Sequence, residues 1–490
     1  MDYSKLQNGS DIRGVALGEN ATLTPEAAKD LAHAFAIWLG KKKIAIGMDS
    51  RISGPALKDA CIDGFMFGGA DVLDCGMAST PAMFMTTVTQ GFMADGAVMV
   101  TASHLPMNRN GLKFFTSKGG LEKAEIAQII EIAKTVKHEK IEGSKVDTVD
   151  FMSVYSKILV DKIVCATGES KPFKHFKIIV DAGNGAGGFY VEKVLKPLGA
   201  DTSGSQFLEP DGTFPNHVPN PEDTAAMKSI VDAVVRENAD FGIIFDTDVD
   251  RAGAVDKGGS VLNKNRLIAA ISAILIKEFS GTAIVTDSIT SSGLAAFITK
   301  CGGVHHRFKR GYKNVINESI RLNKSGIDSQ LAIETSGHAA LKENYFLDDG
   351  AYLVTRLLIE VARLKKQGHT ISDLIADLAE PKESVEFRLN IKQDDFKAYG
   401  NAMIADLEEY ANTQPNFLIA PDNHEGIRVS FDEKNGNGWF LVRLSLHDPL
   451  IPVNVESDVC GGAKLITQTL YQFLSKYDGL DLSSIKDYLK

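Results

Sequence analysis

Three times along the chain a short apolar strand ends in an aspartate and a turn: KIAIGMDSR reaches Asp49, KIIVDAGNG reaches Asp181 and TAIVTDSIT reaches Asp287. Each is followed by a helical stretch opened by small or turn-forming residues. Each then returns as a second apolar strand running into a polar loop: GAVMVTASHLP, FGIIFDTDVDR and QLAIETSGH. Near-continuous apolar strands separated by helices are the pattern of parallel sheets covered on both faces. In such sheets ligands bind beyond the carboxyl ends of the strands, where all three polar loops fall. The repeat predicts three α/β domains of one plan, at residues 1–150, 151–257 and 258–372. Residues 373–490 read differently: a strand SVEFRLNI, a helix DDFKAYGNAMIADLEEYA, strands GIRVSF and GWFLVRLSL, and a last helix from about Gly462. That order predicts a smaller α+β domain.

With 490 residues, 44% of them hydrophobic, the chain is too long for one core and rich enough for several. Its formal net charge of -10 gives no electrostatic reason to expect nucleic acid or an anionic membrane as partner. MDYSKLQNGS lacks a basic region followed by an apolar run, and no stretch approaches the roughly 18 apolar residues of a membrane span. Cys61, Cys75, Cys165, Cys301 and Cys460 are scattered and form no CxxC pair, which fits a reduced, cytoplasmic protein. The oligomeric state is open between monomer and homodimer.

The loops carry the chemistry. Ser103 follows a buried-looking strand in TASHLPMNRNGLKFF, with His104 adjacent and Lys113 further along the same loop. A serine hydroxyl is a poor nucleophile unless activated or already phosphorylated; a helix N-cap is the alternative reading. In DTDVDR, Asp246, Asp248 and Asp250 alternate, so they can converge on a hard cation bound by oxygen. An EF-hand is ruled out, because Arg251 and Lys257 stand where it needs Gly and Glu. A solvated acidic turn is the alternative. In ETSGH, Glu334, Ser336 and His338 suit sugar hydroxyls, although a surface turn reads the same way.

GNGAGG, with Gly183, Gly185 and Gly188, matches the dinucleotide fingerprint after a strand. Asp201, however, precedes its strand, whereas a ribose-binding acid should end the second strand. A tight turn into a helix is the competing account, and an NAD-dependent oxidoreductase stays a minor alternative. Arg13, Arg51, Arg251, Arg310, Lys313, Arg428 and Arg443 could supply phosphate forks beside glycine-containing turns. No Walker A loop is present.

Taken in order, these segments resemble the α-D-phosphohexomutase superfamily across essentially the whole chain. TASHLPMNRNGLK is similar to the phosphoserine loop TASHNPxxxNGxK, DTDVDR to the metal loop DxDxDR, and ETSGH to the sugar loop ExSGH. SDIRG and GMDSRISG resemble the N-terminal arginine motifs, and RGYKN the loop supporting the sugar phosphate. The resemblance implies three mixed-sheet α/β domains and a smaller C-terminal domain around a central cleft. It also implies reversible phosphoryl transfer between the C1 and C6 hydroxyls of glucose or mannose phosphate, through phosphoserine and a hexose 1,6-bisphosphate. Ser103 would carry the phosphate and join Asp246, Asp248 and Asp250 on Mg²⁺. Lys113 would transfer protons, and His104 and Arg251 would steady the phosphoryl. Arg13, Gly311, Lys313, Glu334, Ser336, His338, Arg428, Arg443 and Ser445 would bind substrate. One departure stands out: RLSLHDP replaces RxSGTEP, keeping Arg443 and Ser445 while Leu446, His447 and Asp448 differ. That change is the only support for a non-catalytic sugar-phosphate-binding member of the family.

Overall fold

A computed structural model of the chain describes residues 2–40, 42–138, 143–445 and 448–490. Leu446 and His447 of the departing loop lie outside the described residues. The chain forms two compact units, Met1–Ile271 with Ser336–Leu374, and Ser272–Thr335 with Ile375–Lys490. The segment expected as a third domain therefore contributes to both.

In the first unit, Ile44–Met48 pairs in parallel with Val72–Met77 on one side and Gly96–Val100 on the other. Arg109–Thr116 then runs antiparallel to Gly96–Val100, and Asp11–Val15 antiparallel to Arg109–Thr116, so the sheet is mixed. Val146–Thr148 closes its other edge. Helix Pro25–Leu39 starts at Pro25 with Thr24 as its cap, the Thr24 hydroxyl accepting from Ala27 N–H. Its Leu31 and Phe35 face a core with Ile44, Ile46, Val98 and Phe114.

A second sheet in this unit pairs Ile178–Asp181 in parallel with Phe241–Phe245 and continues antiparallel through Ala252–Asp256 to Ser260–Leu262. The last strand extends this sheet past residue 257. Asp223 caps helix Thr224–Arg236, whose Ala226, Ile230 and Val234 pack with Ile179, Ile244 and Val255. After Ile178–Asp181 comes a short 3₁₀ turn and a π-helical turn, Tyr190–Leu195.

In the second unit, Ala283–Thr286 lies between Val304–Arg307 and Ser329–Ile333, all parallel. The C-terminal stretch forms an antiparallel sheet in the order Glu383–Asn390, Leu450–Ser457, Gly438–Val442, Ile427–Phe431, Leu418–Ile419. Helices Phe396–Thr413 and Gly462–Leu474 pack into the same core through Met403, Leu407, Ile466 and Leu470. Among the described residues no helix is long and apolar enough to cross a membrane.

Candidate active site

The serine loop leaves the carboxyl end of Gly96–Val100 and turns sharply, with Ser103 at φ +51. Two arginines hold that turn from below. Arg13 Nη1 donates to Ala102 O at 3.1 Å. Arg51, wholly buried, donates to four carbonyls: Ser103 O, Leu105 O at 2.7 Å, Pro106 O at 3.0 Å and Arg109 O at 2.9 Å. Asp49 lies 3.5 Å from Arg51 Nε and accepts from Thr101 Oγ1 at 2.6 Å. Burial pushes the Asp49 carboxyl up to about 6, against the pull of Arg51. Arg51, grouped by sequence with possible phosphate forks, is thus an internal brace of the serine loop.

The aspartate loop leaves the carboxyl end of Phe241–Phe245 in the same unit. Ser103 Oγ donates to Asp246 Oδ2 at 2.8 Å and accepts from Arg251 Nη2 at 3.1 Å. Arg251, 1% exposed, also donates through Nε to Asp246 Oδ2 at 3.2 Å and through Nη1 to Asn220 Oδ1 at 3.1 Å. Its Nη2 reaches His104 Nδ1 at 2.5 Å. Burial, followed by the charges of Arg251 and Arg13, pushes His104 down to about 3. The imidazole is therefore neutral and can accept at Nδ1 from the guanidinium.

Lys113, on the antiparallel neighbour of the serine strand, donates to Asp250 Oδ2 and to Asp248 Oδ2, the latter at 3.2 Å. Thr80 Oγ1 donates to Asp248 Oδ2 at 2.5 Å. Burial and the neighbouring carboxylates push Asp246 well above its ordinary value. Burial acts on Asp250 too, but Lys113, His338 and Arg251 outweigh it and hold that carboxyl well below the usual range. The three aspartates offer carboxylate oxygens within 4.8 Å of one another. Among the described residues, Asp248 Oδ1 and Asp250 Oδ1 are buried without a hydrogen-bond partner. Buried, unsatisfied carboxylate oxygens beside one raised carboxyl are costly by themselves, and as an all-oxygen donor set they fit a hard divalent cation.

Ser336 and His338 belong to this unit as well. His338 Nδ1 is 2.9 Å from Ser336 Oγ, and its Nε2 lies 3.5 Å from Asp348 and 3.8 Å from Asp250. Gly337, at φ +93, would bring a Cβ to 2.7 Å from Ala252 O, so the turn needs glycine there.

The remaining expected residues fall in the second unit. Glu334 Oε1 accepts from Gly311 N–H at 2.5 Å, anchoring the turn before helix Tyr312–Lys324, which carries Lys313 in its first turn. Arg443 is largely buried, and among the described residues its Nε has no hydrogen-bond partner. Ser445 Oγ accepts from Asp448 N–H at 3.2 Å. Arg428 is committed elsewhere: it donates to Ser288 O at 3.1 Å and Thr290 O at 2.9 Å, and stacks 3.5 Å from the Trp439 ring centroid.

Sequence reasoning did not single out Thr80 or Asn220, because neither lies in a motif loop and each reaches its partner only through the fold. GNGAGG was read for a nucleotide; its Gly185 instead packs directly against the Thr247 backbone of the aspartate loop.

The mixed α/β scaffold brings a serine hydroxyl, a guanidinium and three carboxylates together beyond the strand ends. Family models described as phosphoglucomutase/phosphomannomutase, alpha/beta/alpha domains I, II and III, match residues 4–140, 154–259 and 263–381. The chain belongs to this phosphoglucomutase/phosphomannomutase family. It is 31% identical over 455 residues to a phosphomannomutase/phosphoglucomutase of Pseudomonas aeruginosa, covering 91% of this chain and 90% of that one. It is 30% identical over 464 residues to a phosphoglucomutase/phosphomannomutase of Thermococcus kodakarensis, covering 92% and 94%. A crystal structure of a phosphoglucomutase/phosphomannomutase family protein from Burkholderia thailandensis superposes with a TM-score of 0.81 at 27% identity, covering 97% of this chain and 98% of that one.

Proposed function

We propose that the chain interconverts the 1- and 6-phosphates of a hexose, glucose and/or mannose, through phosphorylated Ser103 and a hexose 1,6-bisphosphate. The observation that carries this reading is Ser103 Oγ, held between Asp246 Oδ2 at 2.8 Å and Arg251 Nη2 at 3.1 Å. In the first transfer the bond between Ser103 Oγ and phosphorus breaks as the free sugar hydroxyl oxygen bonds to phosphorus. The hydroxyl proton leaves to a base, in this reading Lys113 as its neutral amine, and a proton returns to the sugar oxygen that the second transfer releases. The bisphosphate turns around, and its original phosphate passes to Ser103 Oγ. Phosphoryl transfer needs alignment and charge neutralisation more than covalent help. Arg251 supplies a buried cation beside the oxygen that gains and loses phosphorus, and neutral His104 keeps that guanidinium aimed.

Asp246, Asp248 and Asp250 would hold Mg²⁺ together with the Ser103 phosphate. When bound, it would neutralise phosphoryl charge. In this reading Arg443 and Ser445 hold the phosphate that is not reacting, Gly311, Lys313 and Glu334 are substrate-binding candidates of the same unit, and Arg13, Ser336 and His338 are those of the first unit. Arg428 is left out of that set because its Nη1 is spent on Ser288 O and Thr290 O and its Nη2 lies 3.5 Å from Ser292 Oγ. The two curated relatives named above carry both activities in their names, which supports a dual preference over a single sugar.

The test is a coupled assay with glucose 1-phosphate and mannose 1-phosphate, alongside mass spectrometry of the purified chain. Turnover of both sugars, a phosphate on Ser103 and loss of both in Ser103→Ala are expected. Undiminished turnover in Ser103→Ala would end the reading.

A further inference from the structure

Asp248 is gripped by a residue outside the loop that carries it. Thr80, 4% exposed, is the first residue of helix Thr80–Val88. Its hydroxyl donates to Asp248 Oδ2 at 2.5 Å and its backbone N–H donates to Asp248 O at 2.8 Å. We propose that Thr80 is a positioning residue that turns the Asp248 carboxylate so that Oδ1 is presented to a divalent cation. This rests on the cation reading given above.

Three observations support it. Oδ2 already takes two donors, Thr80 Oγ1 and Lys113 Nζ, while Oδ1 is buried with no hydrogen-bond partner among the described residues. Two donors on one oxygen fix the carboxylate plane and leave the other oxygen for the ion. The loop also has to be held, because Val249, next to Asp248, is at φ +67, a conformation that a β-branched residue adopts only under constraint. The clamp on Asp248 O supplies that constraint just before the turn. Finally, the first N–H groups of a helix lack partners inside the helix and favour negative charge. Giving one of them to the aspartate loop satisfies the helix end and places the loop at its positive end. The side chain suits the task, since a β-branched hydroxyl has few rotamers and can donate where alanine or valine cannot.

Thr80→Val keeps the shape and removes the donor. In calorimetric titration of Mg²⁺ into the chelator-treated full chain, its dissociation constant is expected to rise about ten-fold, the lower range for losing a partner of a metal ligand. Thr80→Ser, which keeps the donor, should bind as the wild type, and KM for hexose phosphate at saturating Mg²⁺ should be unchanged in both. Wild-type affinity in Thr80→Val, with weakened binding in Asp248→Asn, would overturn the positioning role and leave the cation reading standing. Wild-type affinity in Asp248→Asn would overturn the cation reading and this proposal with it. If the valine variant does not fold, Thr80→Ser decides: retained affinity supports the role, and loss overturns it.

Discussion

Gly185 and Thr247 meet backbone to backbone: a Cβ on Gly185 would lie 2.6 Å from Thr247 O, the carbonyl that accepts from Ala186 N–H at 2.8 Å. The glycine-rich turn thus buttresses the loop between Asp246 and Asp248. Gly185→Ala must push Thr247 or bend the turn, at an overpacking cost of about 1–3 kcal/mol. A lower melting temperature is expected, together with a higher Mg²⁺ concentration for half-maximal turnover. A variant that melts lower but keeps the wild-type Mg²⁺ response would show that the strain stops short of the aspartates.

Most of this architecture was legible because the three strand pairs of the repeat are parallel neighbours: Ile44–Met48 with Gly96–Val100, Ile178–Asp181 with Phe241–Phe245, and Ala283–Thr286 with Ser329–Ile333. Apolar period and turn residues suffice to find such strands. Leu450–Ser457 escaped because Pro452 argues against an interior strand, yet that strand lies between Glu383–Asn390 and Gly438–Val442. The proline is tolerated where its carbonyl pairs instead, accepting from Arg443 N–H at 3.2 Å. Ser103, the aspartates and Arg251 were visible as motifs. Thr80 was not, since its partner lies 168 residues away and a hydroxyl–carboxylate pair leaves no local pattern. Arg51 was visible as the arginine of GMDSRISG, but not as a brace, because main-chain carbonyls as partners have no signature in the side chains.

Arg251 spans four acceptors, Asp246 Oδ2, Ser103 Oγ, His104 Nδ1 and Asn220 Oδ1, with all three of its nitrogens. A lysine ammonium is a point charge without that fork. Arg251→Lys should lower kcat by roughly 10- to 100-fold, the equivalent of about 1.5–3 kcal/mol of charge-assisted hydrogen bonding, with a smaller change in KM. Steady-state kinetics at saturating Mg²⁺ would read it. A change confined to KM would assign Arg251 to substrate binding in place of the transferring phosphoryl.

Arg443 keeps a buried Nε without a partner among the described residues, and burial pushes its guanidinium below the ordinary value. A phosphate would relieve both. Arg443→Ala should therefore raise KM for hexose phosphates by roughly 10- to 100-fold, the same scale of charge-assisted fork, and leave the level of Ser103 phosphate unchanged. An unaltered KM would mean that another group holds the anchoring phosphate.

Glu456, buried in the C-terminal sheet, is pushed up to about 7 by burial, against the pull of Arg428 and a hydrogen bond from Trp439. Its ordinary value is 4.5. Between those values the folded chain binds a proton that the unfolded chain has already lost. The stabilisation is thus full below 4.5 and disappears as pH rises through 7. At 1.36 kcal/mol per pKa unit, the swing is about 3 kcal/mol. Glu456→Gln lacks this titration, so its stability relative to the wild type should improve as pH rises from 5 to 8. Hydrogen exchange in Gly438–Val442 and Leu450–Ser457, corrected for the intrinsic pH dependence of exchange, would measure it. Parallel pH profiles for the two chains would mean that Arg428 keeps Glu456 ionised throughout.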